Sequence, residues 1–288
     1  MAVKFFGQFL VERGVISRDV LLSAIALQDS VNKSFGAIVQ ELGFMNSTDI
    51  DKVNLAQRST DMRFGDLAVQ MGLLTADQMQ QVLKTQSENH LYIGKAIVKV
   101  GGLNDDELQH YLAEFKADQS EYVTGRVAIP AGVAHAELWE MMADLTYKML
   151  TRVARLNYRP APCEVVSRLE EVHIAAAMDF TGDIRCRYII AASQEVQEQV
   201  AKAMLCQEIV SHEPKEVLDD TLMEFINVVC GNIVAKSVQL GMSLDILPPE
   251  IIDCSSGMEI PDGYTGLHFP ICIADSSQEA AVSIIVYP

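Results

Sequence analysis

The chain has 288 residues, a formal net charge of −17 and 49% hydrophobic residues. That length points to two domains rather than one, and the apolar content suffices for ordinary cores. The acidic balance excludes broad adhesion to nucleic acid or to an anionic membrane surface, since both need clustered Lys and Arg.

No apolar run approaches the roughly 20 residues of a membrane span. At the N-terminus, Phe5-Phe6 and Phe9-Leu10 are followed by Glu12 and Arg13, which interrupt any secretory core. The expectation is a cytoplasmic chain, mature from Met1, with no membrane span.

Residues 1–117 form a fourfold repeat. Gly7, Gly36, Gly65 and Gly94 recur every 29 residues, and Gly14, Gly43, Gly72 and Gly101 repeat the same step. Three residues after each second glycine stands a helix-capping side chain: Ser17, Asn46, Thr75 and Asn104. Gln28, Gln57 and Gln86 close the first three units, with Phe115 at that place in the fourth. Each unit reads as a short helix, a glycine turn that suits a left-handed helix end, and a longer capped helix. One such unit cannot bury its own apolar face, so neighbours must stack. An all-α repeat domain follows, whose glycines serve turns and close helix packing and whose role is docking or scaffolding.

The run Arg63-Phe64-Gly65 through Gly72 to Gln86 is similar to the tandem motif of the MshE N-terminal domain, a family that binds cyclic di-GMP. That resemblance implies ligand contacts at Arg63, Gly65, Gly72 and Gln86. The position of Arg63 is occupied by Phe5, Ser34 and Tyr92 in the other units. Arg is the side chain best suited to stacking on a base while gripping phosphate, so the ligand site is at best a partial one.

Residues 118–133, with Gly125, Pro130 and Gly132 and no sustained apolar period, read as a linker. The second domain, residues 134–288, opens with a helix from about Ala134 to Asn157 ended by Pro160 and Pro162, with Met141, Met142 and Met149 as core filler. Strands are expected at Glu164–Leu169, Val172–Phe180 and Ile184–Ala192, the last two joined by a tight turn at Thr181-Gly182-Asp183. A helix at Gln194–Glu208 precedes a second one, followed by strands near Leu244–Leu247, Leu267–Ala274 and Ala280–Tyr287, with Asp275–Gln278 as the closing loop. Strands and helices are grouped rather than alternating, which gives an α+β domain with an antiparallel sheet packed against helices.

The segment from Asp219 to Gly241 carries the chemistry. At about 100° per residue, Leu222, Ile226, Val229, Ile233 and Leu240 form one apolar stripe, and Asp220, Glu224, Asn227, Gly231 and Ala235 fall on roughly the opposite face. Glu224 and Asn227 are surface neighbours at this spacing. A carboxylate can grip a cation or act as a base, and an amide can orient water with one donor and one acceptor. The same pair also fits an ordinary solvated helix face.

Glu224-Phe225-Ile226-Asn227, the following Gly231-Asn232 and then Asp245-Ile246-Leu247-Pro248-Pro249 resemble the E-x-x-N, G-N and D-I-x-x-P pattern of the CheX branch of the CheC/CheX/FliY chemotaxis phosphatases. The resemblance implies hydrolysis of the aspartyl-phosphate on a CheY-like response-regulator receiver domain. Glu224 would pair with a receiver lysine and Asn227 would orient the attacking water. It implies no metal site or cofactor in this chain, since Mg2+ belongs to the receiver, and it implies a homodimer through the C-terminal sheet. A non-catalytic receiver-binding or dimerising adaptor, with or without cyclic di-GMP control at the repeats, is the alternative.

The six cysteines, Cys163, Cys186, Cys206, Cys230, Cys254 and Cys272, show no C-x-x-C spacing and read as buried thiols. The six histidines are scattered and receive no role.

Overall fold

The computed structural model describes residues 4–58, 60, 62–119, 127–273 and 279–286. The chain divides into two compact units. The described residues of the first end at Gln119 and those of the second begin at Val127.

The first unit is all helix: α1 Phe6–Glu12, α2 Arg18–Val31, α3 Phe35–Glu41, α4 Ser47–Gln57, α5 Phe64–Gln70, α6 Ala76–Glu88, α7 Ile93–Lys99 and α8 Asp105–Asp118. The four short helices have seven residues each and keep the repeat of the sequence. Ser17, Asn46, Thr75 and Asn104 cap the four long helices, each side chain accepting the backbone N–H three residues on. Gly14, Gly43, Gly72 and Gly101 take φ of +68°, +68°, +70° and +80°. The residue after each donates back across the helix end, as Val15 N to Leu10 O at 2.9 Å and Leu73 N to Ala68 O at 2.9 Å. This is the Schellman closure that satisfies otherwise orphaned carbonyls.

Among the described residues, adjacent repeats share a core only in the second and third units. Their side chains share one core around Ile38, Val53, Leu67 and Val82. A separate core around Phe9, Leu10, Ala24, Ile97 and Leu108 joins the first unit to the fourth. The closing glutamines show why. Gln57 Nε2 donates to Met62 O at 3.0 Å and Gln86 Nε2 to Lys33 O at 3.3 Å, so units two and three grip each other reciprocally. Gln28 Nε2 reaches Leu91 O at 3.0 Å, while Lys4 N donates to Gln119 Oε1 at 3.1 Å in return. A reciprocal, two-fold-like contact closes on itself and leaves no repeating surface for a third member. At the position where the fourth unit lacks its Gln, Phe115 instead packs edge-on against Phe6 and Phe9 at 5.4 Å each.

The second unit contains α9 Ala136–Arg152, β1 Tyr158–Pro160, β2 Glu164–Val166, β3 Arg168–Leu169, β4 Ile174–Gly182, β5 Cys186–Ala192, α10 Gln194–Leu205, α11 Lys215–Ser237, β6 Leu244–Ile246, β7 Glu250–Ile252, β8 Met258–Glu259, β9 Thr265–Ile273 and β10 Glu279–Val286. The main sheet runs β1-β9-β10-β5-β4-β6, with β2 also on β9 and β7 also on β4, and every pairing is antiparallel. Alternation along β4 divides its side chains between two cores. Ala176, Met178 and Phe180 face the helices with Trp139, Met142, Phe225 and Val229. Ala175 and Ala177 join Leu169, Ile189, Cys254 and Ile260 on the other side, next to the small β3-β8 ribbon.

Several boundaries differ from the sequence reading. α9 stops at Arg152 rather than Asn157, because Arg155 turns left-handed at φ 56° and Leu156 N bonds back to Leu150 O at 2.9 Å. Pro160 therefore does not end the helix; it sits in β1 at the sheet edge, where a missing N–H costs no ladder bond. The run Glu164–Leu169 breaks in two, since β2 pairs with β9 and β3 with β8. The short strands β1, β7 and β8 carry too few residues to show a period. Tyr287 and the loop Asp275–Gln278 lie outside the described residues.

One helix, α11 with its following turn (Lys215–Leu240), is long and apolar enough by length and composition to cross a membrane, contrary to the sequence expectation. Its apolar side chains account for this differently: Leu222, Phe225, Ile226, Val229, Cys230 and Ile233 are all buried in the core beneath the sheet.

Candidate functional site

The site is the outer face of α11. The helix starts after Pro214, a residue that pre-sets the entry into a first turn. Its first half is tied to α10, where Gln197 Nε2 donates to Asp219 Oδ1 at 2.9 Å and Gln197 Oε1 lies 3.2 Å from His173 Nε2. Its last turn is tied by Ser237, whose Oγ donates to Val234 O at 2.9 Å and lies 3.2 Å from Met242 O. Gly241 then reverses the chain at φ 73°. Beyond it Ser243 clasps the β4–β5 turn, with Ser243 N on Asp183 Oδ2 at 2.8 Å and Asp183 N on Ser243 O at 3.0 Å. Gly182 is required there, because a Cβ on it would strike the Ser243 carbonyl. Asn232 of the Gly-Asn pair is buried and donates from Nδ2 to Val228 O at 2.8 Å, so it serves the helix itself.

On this fixed helix the expected division of faces holds. Leu222, Ile226, Val229 and Ile233 are buried, while Asp220, Glu224, Asn227, Gly231 and Ala235 are exposed. Leu240 departs from the stripe: it lies in a 3₁₀ turn after α11 and is 36% exposed, because the tighter winding rotates it off the 3.6-residue face. Asn227 Nδ2 sits 3.5 Å from Glu224 Oε2, a long contact that leaves both groups available to an incoming molecule. Among the described residues the two have no other partner. Together they offer a carboxylate for a cation and an amide whose oxygen and remaining N–H can hold a water in one orientation.

The thiols supply no chemistry to this face. Cys186 is pushed up to about 12 by burial and by the nearby Asp179, and burial raises Cys230 as well. Cys272 is only half-buried, and Cys206 departs furthest from the expectation of buried thiols. It caps the end of α10 in a left-handed conformation at φ 55° and is exposed. Among the described residues no group of three or more His, Cys, Asp or Glu is placed to hold a metal ion.

The residues expected at the repeats are dispersed among structural duties. Gly65 is buried, and a Cβ on it would come within 3.1 Å of Met79 Cγ and of the Phe35 ring. Gly72 supplies the positive φ after α5. Gln86 bonds to Lys33 O in the pair of units described above. Arg63 stands at the N-cap of α5, exposed, with no capping bond from its side chain. One exposed residue escaped the sequence reading: Val238, 69% exposed just past the end of α11. Its apolar type gave no signal, because a valine in an apolar helix reads as core.

Residues 174–272 match the family model described as chemotaxis phosphatase CheX. This span of the C-terminal domain is similar to CheX. The matched span runs from β4 into β9, narrower than residues 134–288, and it contains all of α11 with Glu224 and Asn227. Among solved structures, similar chains include the chemotaxis protein CheX of Desulfovibrio desulfuricans, at 18% identity and TM-score 0.46, covering 52% of this chain and 99% of that one. CheX of Vibrio vulnificus gives 17% identity and TM-score 0.46 over 52% of this chain and 99% of that one. The CheX of Borrelia burgdorferi, crystallised as a complex with CheY, BeF3 and Mg2+, gives 21% identity and TM-score 0.44 over 52% of this chain and 98% of that one. A search of curated proteins gave no match.

Proposed function

We propose that the C-terminal domain is a phosphatase for the aspartyl-phosphate of a CheY-like receiver domain, in chemotaxis or a related two-component pathway. The observation that carries this reading is the Glu224–Asn227 pair, exposed on a helix whose other side is locked in the core and which lies within the span matched by the CheX model. Glu224 grips a cation of the receiver and so fixes the register of the two proteins. Asn227 then holds a water in line with the phosphorus. The water oxygen bonds to phosphorus as the bond to the aspartyl oxygen breaks. Inorganic phosphate leaves, the receiver carboxylate is regenerated, and no phosphorylated form of this chain arises. Catalysis is by positioning and electrostatics, the main resources of phosphoryl transfer. Mg2+ held by the receiver supplies charge neutralisation from the partner's side.

The test is phosphate release from a phosphorylated receiver of the same cell, with the intact chain and with Glu224→Ala and Asn227→Ala. Acceleration by the intact chain that drops by roughly 100-fold in Asn227→Ala, at an unchanged circular dichroism spectrum, is the expected result. Full activity in that variant removes Asn227 from the mechanism. No acceleration over a panel of receivers moves the domain to the adaptor class. We assign the domain a homodimeric state through its sheet, which light scattering at twice 31.7 kDa would support and a species of 31.7 kDa would refute.

For the helical unit we propose a docking role. Cyclic di-GMP binding is the second reading, resting on exposed Arg63, the one guanidinium at that repeat position. Calorimetry with the nucleotide tests it: heat of binding that Arg63→Ala abolishes supports it, and no heat with the unmodified chain ends it.

A further inference from the structure

Gly231 is not accounted for by the domain that contains it. It lies inside α11 with helical backbone, where glycine weakens a helix relative to alanine. A Cβ built on it would meet nothing within 4 Å. Neither packing nor backbone geometry calls for the missing side chain, so the need lies outside the fold.

Val238 is unexplained in the complementary sense. It keeps helical backbone, with φ −58° and ψ −31°. At about 100° per residue it projects within about 40° of Glu224 and about 20° of Asn227. It is nevertheless 69% exposed. The same face therefore changes character along its length: the exposed carboxylates of Asp220 and Glu224 at one end, the amide of Asn227, bare backbone at Gly231, and an exposed apolar side chain at Val238.

We propose that Gly231 and Val238 extend the receiver-docking surface of this face beyond the Glu224–Asn227 pair. The occupant that fits carries a cation for Glu224, a rim that passes close to the helix backbone at Gly231, and an apolar surface that covers Val238. A phosphorylated receiver meets the charge requirement, because a site that stabilises an acyl phosphate holds cationic groups beside it. Anionic lipid or nucleic acid is repelled by the carboxylate end. This inference rests on the phosphatase reading for the identity of the occupant, while its footprint can be tested separately from turnover.

The experiment uses the full chain and measures two quantities for each variant: the Kd for beryllofluoride-activated receivers, and the kcat and KM for dephosphorylation. Val238→Glu and Gly231→Leu are expected to raise Kd and KM by roughly tenfold or more, as for buried positions at the centre of an interface, with kcat nearly unchanged. Gly231→Ala is expected to melt higher than the natural chain while binding no better. Binding and turnover of Val238→Glu and Gly231→Leu equal to the natural chain, alongside lost turnover in Asn227→Ala, would overturn the inference and leave the phosphatase reading standing. Receiver binding that Val238→Glu weakens, without any turnover by the natural chain, would sink the phosphatase reading and keep the docking surface. Absence of both binding and turnover would overturn the two together.

Discussion

In the helical unit the recurring glycines answer to something inside the unit, Gly36 excepted, where a Cβ would make only ordinary contacts; Gly231 of α11 answers to nothing in its own domain. Gly65 and Gly94 sit where a Cβ would press on Met79 and Leu108, each fourteen residues further on, and Gly43 and Gly72 carry the positive φ that closes a helix. The glutamines follow the same rule, bonding one repeat unit to its pair. Residues that repeat in this chain thus maintain its own architecture. Outward features, such as the Glu224–Asn227 pair, occur once and make few contacts. Recurrence identifies scaffold here, and an unexplained cost identifies a surface meant for something else.

That contrast between the units predicts an unequal response to alkali, the largest effect expected once Cys163, Cys186 and Cys230, all raised by burial, are taken together. All six cysteines lie in the C-terminal part of the sequence. Cys186, fully buried in β5, is pushed from 9.0 up to about 12. In the unfolded chain the thiol ionises near 9, while the folded domain keeps it neutral. Its stabilising contribution is complete below that pH and is lost as pH rises from about 9 to 12, amounting to roughly 4 kcal/mol at the upper end. The sheet domain should therefore melt progressively lower above pH 9, and Cys186→Ala should flatten the decline. A parallel decline in both proteins would show that Cys186 is not its source.

The next largest effect separates the two faces of α11. Phe225 is fully buried in the core that α9, α11 and the sheet share, and Phe225→Ala should cost about 3–5 kcal/mol in denaturant unfolding. Its neighbour Glu224 is exposed, and Glu224→Ala should stay within about 0.5 kcal/mol of the natural chain while losing receiver turnover. Comparable losses of stability in both would mean that the outer face belongs to the fold. In the helical unit, Gly65→Leu should cost about 1–3 kcal/mol through overpacking against Met79 and Phe35. Gly231→Leu should show no such loss, because its side chain enters open space.

How much of this was legible in the sequence follows from the range of each interaction. The caps at Ser17, Asn46, Thr75 and Asn104 and the glycine turns depend on residues within a few positions of one another, and all four units matched. The faces of α11 were legible for the same reason, since 3.6-residue winding is a local property, until the 3₁₀ turn displaced Leu240. Pairing of the first unit with the fourth was not legible. It is fixed by bonds such as Gln28 to Leu91, 63 residues apart, whose partner is a backbone carbonyl that no side-chain pattern records. The three-residue strands β1 and β7 escaped for lack of a period, and the exposure of Val238 depends on which surfaces the sheet leaves uncovered.

The smallest effect tests whether the repeat features are as internal as they look. Asn46 caps α4 through Oδ1, which accepts Asp49 N at 2.9 Å. Removing that acceptor leaves one N–H of the first turn to water, so Asn46→Ala should destabilise the helical unit by about 1 kcal/mol, and Asn46→Gly by only a few tenths. The difference arises because glycine, with no Cβ, leaves the exposed amide more open to water than alanine does. Asp49 also carries an ion pair with Lys52 at 2.9 Å, but that pair is exposed and contributes little. If the repeats serve only their own fold near this cap, thermal unfolding should shift in the order natural, Gly, Ala while receiver turnover stays the same. A change in turnover that tracked this local loss of stability would tie the helical unit to the activity of α11 and end the division between an inward-looking unit and an outward-looking helix.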